Sequence, residues 1–363
     1  CFPCRARRRP GSCPETGSRA GAGSAQVQWN QVPVTWAEHR FGAMGTTVHL
    51  LVDGPVGLTT WAEEEIERLE SLWSRFRADS DVSRCNAAGG SATTVAGETI
   101  EVLERALALW AETDARFDPT VLRSLEAHGY DETFERVRER PADSGCSRLV
   151  MKPPGRHPLE LVVADDPSTT GPAPGCSGIV IDPARRTVLL PDGVGLDLGG
   201  IGKGYTADIV SRDLIARGAV GVCISMGGDV RCAGVGPVGG GWDIEIEDPF
   251  DPQRTLFTRH LTDSAIVTCT RLFRRWLHGG RWQHHLIDPS TGAPADRRVA
   301  AVIVADSDAW RAEGWAKAAF VSGPIEGVEL LDRGGLAGWV VDDDGVVVAS
   351  AAAAAAEARD EVA

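Results

Sequence analysis

The segment Gly195-Leu-Asp-Leu-Gly-Gly-Ile-Gly-Lys-Gly-Tyr-Thr-Ala-Asp208 concentrates residue types that hold phosphate. It reads as a strand ending in glycines that open a helix. Backbone N–H groups at such a turn, with the positive end of the helix behind them, bind anionic oxygens. It is not a Walker A loop, because Asp197 stands five residues before Gly202 and Lys203 is followed by Gly204 rather than Ser or Thr. It does satisfy Gly-x-Gly-x-x-Ala from Gly202 to Ala207. Glycines for a tight turn explain many matches to so loose a pattern, but a tight turn has no need of Asp197 and Lys203.

Two further groups carry titratable side chains. His284-His285-Leu-Ile-Asp288-Pro-Ser-Thr-Gly292 closes a strand, and neighbouring side chains on a strand point to opposite faces, so one histidine at most serves a given site. A histidine there suits general acid–base work; the plainer reading is a packed histidine beside an Asx turn at Asp288. Glu313 and Lys317 stand four apart in a helical stretch. Their default reading is a solvated intrahelical pair worth about 0.3–0.5 kcal/mol, and metal ligation by Glu313 would need further oxygens close by.

The elements that must position these residues follow from patterning. Residues 41–52 run through glycines into a strand of alternating apolar residues. A helix follows, with Thr60-x-x-Glu63 as a capping box, Glu63, Glu64 and Glu65 in its first turn, and Ile66, Leu69, Trp73 and Phe76 on one face. A second helix spans about 98–115 and should break at Asp118-Pro119. Residues 131–176 are charged, rich in Pro and Gly and poorly patterned, which suggests a surface excursion with one strand at Leu159 to Val163. Strands are expected near 178–181, 186–190, 194–198, 220–225, 242–247, 255–261, 264–268, 281–287 and 298–305, and helices at 204–217, 308–322 and 325–333, with a hairpin at Asp344-Gly345. Strands and helices do not alternate as in a repeated βαβ series, so the expected class is α+β with mixed, largely antiparallel sheets and packed helices.

Composition bounds the function. The chain has 363 residues, 43% hydrophobic and 24% charged, which is ordinary for a globular protein. Its formal charge is −14, and Arg5, Arg7, Arg8 and Arg9 crowd the first ten residues, so nonspecific binding to nucleic acid is disfavoured. No window is apolar enough for a transmembrane segment, and no apolar run follows the basic start; these point to a cytoplasmic protein, although Cys1 is also how a processed lipoprotein would begin. Nine cysteines lack a second Cys-x-x-Cys to complete a zinc site. Residues 1–30 read as a disordered tail, 31–350 as one domain, and 351–363 as an alanine-rich tail, frayed and dispensable.

Taken together, the pieces resemble the FAD:protein FMN transferase (ApbE) family across roughly 36–350. The resemblance rests on Phe41-Gly-Ala-Met-Gly-Thr46, Ser74-Arg-Phe with Asp79, Ser80 and Asn86, Phe117-Asp-Pro-Thr120, Gly129-Tyr130, Leu196 to Tyr205 with Asp208, Gly227-Gly228, and His285-Leu-Ile-Asp-Pro-x-Thr-Gly292. Each motif is weak alone; their shared order is specific. The resemblance implies an enzyme that splits FAD with a divalent metal, Mg2+, moves FMN to a Ser or Thr hydroxyl of an acceptor protein carrying a short target motif, and releases AMP. It implies that Met44, Phe76, Phe117 and Asp118 line the FAD cleft, that Asp197 and Lys203 hold the dinucleotide, and that His285 with Leu286 flanks the reacting end, His285 as base. It places metal ligands at Gly200, through its carbonyl, and at Glu313.

Two positions depart from the family pattern. Where the family has Asp and, four residues on, Thr as ligands, this chain has Glu313 and Lys317, and an ammonium cannot ligate a metal. A bound metal is therefore doubtful, with the charge of Lys317 standing where it would sit. Thr268-Cys269-Thr270 replaces Thr-Ser-Gly, which could bring a thiol to the flavin. The residues admit two other readings. One is an FAD-binding homologue or FAD pyrophosphatase without protein flavinylation. The other is a nicotinamide-dependent dehydrogenase built on Gly202-x-Gly204-x-x-Ala207 with Asp229 on the ribose.

Overall fold

A computed structural model of the chain describes residues 25–27, 36–140 and 171–360. In chain order it begins with β1 (Ala25–Val27), the hairpin of β2 (Ala37–Ala43) and β3 (Thr46–Asp53), and helices α1 (Leu58–Trp73) and α2 (Asp81–Ala87). Next come β4 (Thr93–Thr94), α3 (Gly97–Glu112), α4 (Leu122–Ala127), α5 (Phe134–Glu139), β5 (Val180–Asp182) and β6 (Thr187–Leu189). Helix α6 (Gly202–Ala216) leads into β7 (Gly221–Met226), β8 (Asp229–Gly234), β9 (Trp242–Glu247), β10 (Thr255–Leu261) and β11 (Ala265–Thr270). Strands β12 (Arg275–His278), β13 (Arg281–His284), β14 (Ile287–Asp288), β15 (Ala293–Pro294) and β16 (Val299–Asp306) follow. The chain closes with α7 (Ala309–Ser322), α8 (Pro324–Arg333), β17 (Ala337–Asp342), β18 (Val347–Ala349) and α9 (Ala351–Asp360).

Eight strands form the central sheet in the order β18-β17-β16-β11-β8-β7-β3-β2, and each pairing along it is antiparallel. Period-two alternation lets each strand serve both faces. On β3, Val48, Leu50 and Val52 face the helices, while Leu51 faces the other way. On β7, Val222, Ile224 and Met226 join the helical layer, and Cys223 the opposite one. The second layer is the three-stranded sheet β1-β9-β10, whose Trp242, Ile244 and Ile246 alternate inward along β9. The fold is thus α+β, with helices on one face of an antiparallel sheet.

Several elements differ from expectation. Helix α1 starts at Leu58 behind Gly57, whose φ of 94° is easy for glycine, so Thr60 lies inside the helix and makes no cap. Helix α3 stops at Glu112, ahead of the Asp-Pro pair, because Asp114 and Ala115 turn with positive φ. Residues 194–198 form no strand. The stretch 41–52 is a hairpin turning at Met44-Gly45, with φ of 51° and 63°. The strand expected at 159–163 and most of the disordered tail expected over 1–30 lie outside the described residues, but Ala25–Val27 within that tail is ordered as β1, paired antiparallel with β9. The alanine-rich end is docked rather than loose: Ala353 is fully buried, Ser350 Oγ accepts from its N–H at 3.2 Å, and Trp339 Nε1 donates to Glu357 Oε1 at 2.7 Å.

Candidate active site

The cleft opens where the first turn of α6 meets the tip of the β2–β3 hairpin and the chain between β13 and β14. Its cavity is about 420 Å³, within the usual range for a small-molecule pocket. Met44, Phe76, Phe117, Asp118, Asp197 and Lys203 all reach its walls, as do Gly200, His285 and Leu286. Glu313 does not; it is wholly buried below.

Each wall residue is held by local geometry. Met44 occupies the first position of a two-residue hairpin turn that needs positive φ twice, an uncommon conformation for a long side chain. Glu70 of α1 accepts its N–H at 2.8 Å, which fixes the tip over the cleft. Beyond the extended Ser74 that ends α1, Arg75 turns back inward. Its Nε meets Asp197 Oδ2 at 2.7 Å, its Nη2 donates to Tyr130 O at 2.6 Å, and its guanidinium stacks on Phe76 at 4.2 Å. The other oxygen of Asp197 accepts the Gly199 N–H at 2.6 Å, so Asp197 ties the glycine turn to α1. Asp118 is similarly saturated: Oδ1 accepts from Thr120 N–H and hydroxyl at 2.7 and 2.6 Å, and Oδ2 from Trp110 at 3.2 Å. Burial nonetheless raises its pKa.

Under the glycine turn lies a buried charge cluster. Lys203 Nζ donates to Glu313 Oε1 at 2.6 Å and pairs closely with Asp229. Lys317 Nζ reaches the same Glu313 oxygen at 3.1 Å, and Gly204 N–H donates to Oε2 at 2.8 Å. Burial opposes the charge of Glu313, yet the two ammonium groups and the N–H hold its pKa down, at about 2. Asp229 is pushed upward by burial, and its second oxygen accepts Thr268 N–H at 3.2 Å.

His285 faces this cluster across the cleft. Burial holds its pKa well below the ordinary value, and the charges of Arg274 and Lys317 act in the same direction. Its Nδ1 lies 3.4 Å from Arg274 O; a carbonyl oxygen only accepts, so this contact favours the proton on Nδ1 and leaves Nε2 as the lone-pair nitrogen. His284 points the other way, edge-on to Phe320 at 6.3 Å, as strand alternation requires.

Three features escaped sequence reasoning. Arg274 donates to Gly45 O at 2.9 Å and crosses the cleft mouth; it sits in no motif. Arg75 lay within a matched motif, but its charge partner 122 residues away could not be read from spacing. Cys269, expected near the flavin, is buried in the core and not on the cleft wall, with its thiol pushed up to about 11 by burial.

A divalent ion does not fit these residues. Magnesium takes about six oxygens at roughly 2.0–2.1 Å. Glu313, Asp229 and Asp197 already spend both carboxylate oxygens on protein donors. Lys317 packs along Gly200, where an added Cβ would stand 3.3 Å from its Cδ. Among the described residues, no group of three or more His, Cys, Asp or Glu side chains is placed to hold a metal.

The antiparallel α+β fold is one that solved ApbE proteins share. The sequence matches the ApbE family over residues 44–339, and the chain belongs to that family. It is 25% identical over 293 residues to the FAD:protein FMN transferase of Salmonella typhimurium, covering 78% of this chain and 76% of that one. It is likewise 25% identical over 297 residues to that of Vibrio cholerae, covering 80% and 82%. Among solved structures, the ApbE protein of Thermotoga maritima superposes with TM-score 0.74 at 26% identity, covering 89% of this chain and 99% of that one. The Vibrio cholerae flavin transferase ApbE does so with TM-score 0.70 at 26% identity, covering 88% and 98%. The nicotinamide reading fails, because the main sheet is antiparallel and Asp229 is committed to Lys203. Among the described residues, no helix is long and apolar enough to cross a membrane.

Proposed function

We propose that this protein is an FAD:protein FMN transferase. It moves FMN from FAD to a Ser or Thr hydroxyl of an acceptor protein presenting a short target motif, and releases AMP. The observation that carries the reading is the placement of a half-buried histidine, His285, in one cleft with Lys203 and Lys317. Met44, Phe76, Phe117 and Leu286 supply apolar surface for the flavin. Asp118 offers a fixed polar edge. Asp197, through Arg75 and Gly199, keeps the turn N–H groups aimed at the phosphates, and Lys203 adds charge beside them. In the reaction the acceptor oxygen attacks the phosphorus on the FMN side, the bond to the bridging oxygen breaks, and AMP departs. The hydroxyl proton passes to Nε2 of His285. Phosphoryl transfer needs mainly positioning and charge neutralisation, and this site provides both.

The test incubates the whole protein with FAD and Ser/Thr-bearing acceptor candidates, following AMP by chromatography and covalent flavin by in-gel fluorescence. Equal amounts of AMP and labelled acceptor are expected, with a loss of about 10²–10⁴-fold in His285→Ala. AMP accompanied only by free FMN would replace transfer with hydrolysis. FAD left intact with every acceptor would refute both.

A further inference from the structure

Glu313 and Lys317 are not the solvated helical pair their spacing suggests. Helix α7 is buried on nearly every side, with Ala312, Trp315, Ala316, Ala319 and Phe320 all enclosed. Glu313 has no exposure, and the Lys317 side chain keeps 17%. Burying ions in such a helix is costly, and apolar residues of similar volume would pack as well, so stability does not account for Lys317. Its position does. The stem runs past Gly200, where a side chain would crowd both its Cδ and the Phe117 ring, and the ammonium emerges at the cleft wall.

An ammonium carries three protons. Those of Lys317 have two partners in the protein, Glu313 Oε1 at 3.1 Å and, at 3.4 Å, the Glu313 carbonyl. A donor therefore remains for the cleft. Lys203 has two partners as well, but both are close carboxylates, Asp229 and Glu313 at 2.6 Å, whereas the contacts of Lys317 are longer and to one residue, which leaves Lys317 the freer to turn to a ligand.

We infer that Lys317 is the fixed cation for the pyrophosphate of the flavin dinucleotide, so that this cleft binds FAD without a divalent metal. The inference rests on FAD being the substrate. A tethered ammonium provides positive charge where an exchangeable ion would have to be captured, and its charge repels such an ion from the Glu313 oxygen it touches. The carboxylates around it, with both oxygens of each already engaged by protein donors, point the same way.

The test titrates FAD into the whole protein by fluorescence quenching, in EDTA and in excess magnesium, with riboflavin, which has no phosphate, as the control ligand. The wild-type dissociation constant for FAD should agree within about 2-fold between the two buffers. Lys317→Met should weaken FAD binding about 10- to 100-fold, the range for one charge-assisted hydrogen bond, in both buffers, while riboflavin binding is unchanged. Lys317→Arg should recover most of the loss. A wild-type affinity that collapses in EDTA and returns with magnesium would overturn the inference while leaving the transferase reading intact. FAD binding indifferent to Lys317→Met would do the same. Riboflavin binding that falls in parallel would reduce Lys317 to a packing role. Absence of FAD binding in both buffers would remove the transferase reading as well. If Lys317→Met fails to fold, the wild-type comparison still decides.

Discussion

Replacing Lys203 by Met removes one cation from between two carboxylates and keeps most of the side-chain volume. Glu313 retains Lys317 and the Gly204 N–H, so Asp229 is the group left stranded, with only Thr268 N–H at 3.2 Å. Breaking a buried pair on one side costs about 3–5 kcal/mol. For a cooperative unit of this size that is a fall in Tm of roughly 4–8 °C. The loss should depend on pH, with a definite sign. Asp229 already has a raised pKa, and without Lys203 it rises further. A carboxyl whose folded pKa exceeds its unfolded value contributes stability that is lost as pH rises through the folded pKa. The penalty should therefore be large at pH 8 and shrink at pH 5. Glu313 is held near 2 in the wild type, and in the variant Lys317 and the Gly204 N–H still oppose its protonation, so the Asp229→Asn substitution is what assigns the pH dependence to Asp229. Urea unfolding of wild type, Lys203→Met and Lys203→Met with Asp229→Asn, at both pH values, provides the assay. The double variant should be more stable than the single one at pH 8 and close to it at pH 5. A single-variant loss below about 1 kcal/mol, or one identical at the two pH values, would refute the idea that the cluster is held by mutual charge compensation.

Other substitutions probe the frame. Gly204→Ala would set a Cβ 2.5 Å from Ala309 O and 2.7 Å from Trp310 N, forcing α6 and α7 apart. It should cost about 1–3 kcal/mol in thermal unfolding and also loosen the bond that Asp208 accepts from Trp310 N–H at 2.9 Å. His284 is held at about 4 by burial, with Arg271 and His128 adding to the effect. Since that lies below the unfolded value, stability is full above about pH 6.5 and falls as pH drops toward 4, by about 2 kcal/mol at pH 5. Denaturation at pH 7.5 and 5 should show this, and His284→Gln should flatten the difference. Truncation after Ser350 removes buried Ala353 and the Glu357 bond to Trp339, and calorimetry should record a loss of about 1–3 kcal/mol.

What could be read in advance was mostly local. The glycine turn, the alternating strands and the amphipathic face of α1 each follow from a few neighbouring residues, and they form close to where patterning put them. The misreadings share a cause. The default for Glu313 and Lys317 assumed a solvated face, but α7 lies under α6 and against the sheet, and burial by distant chain cannot be seen in a seven-residue window. Thr60 satisfied a capping pattern, yet Gly57 already offered an easier start. The alanine run has little apolar area of its own; its docking depends on Trp339 and Ser350, which belong to the strand hairpin before it. Arg274 joins the site only because β12 and the β2–β3 hairpin tip converge, a contact spanning 229 positions.

The electrostatics of the cleft link these pieces to the proposed chemistry. A general base must be unprotonated when substrate arrives, but a polyanion beside it favours the protonated form. Here burial disfavours the protonated form of the free imidazole of His285, and the cations that suit the pyrophosphate, Arg274 and Lys317, add to that effect. When the dinucleotide enters, its negative charge offsets those cations and makes His285 more basic, at the moment a hydroxyl proton must be taken. A metal held only transiently could not keep the empty site in that state, because its charge leaves with it. Lys317 cannot leave. Cations fixed in the fold, Arg274 and the Lys317 of α7, would therefore couple phosphate capture to the protonation state of the base.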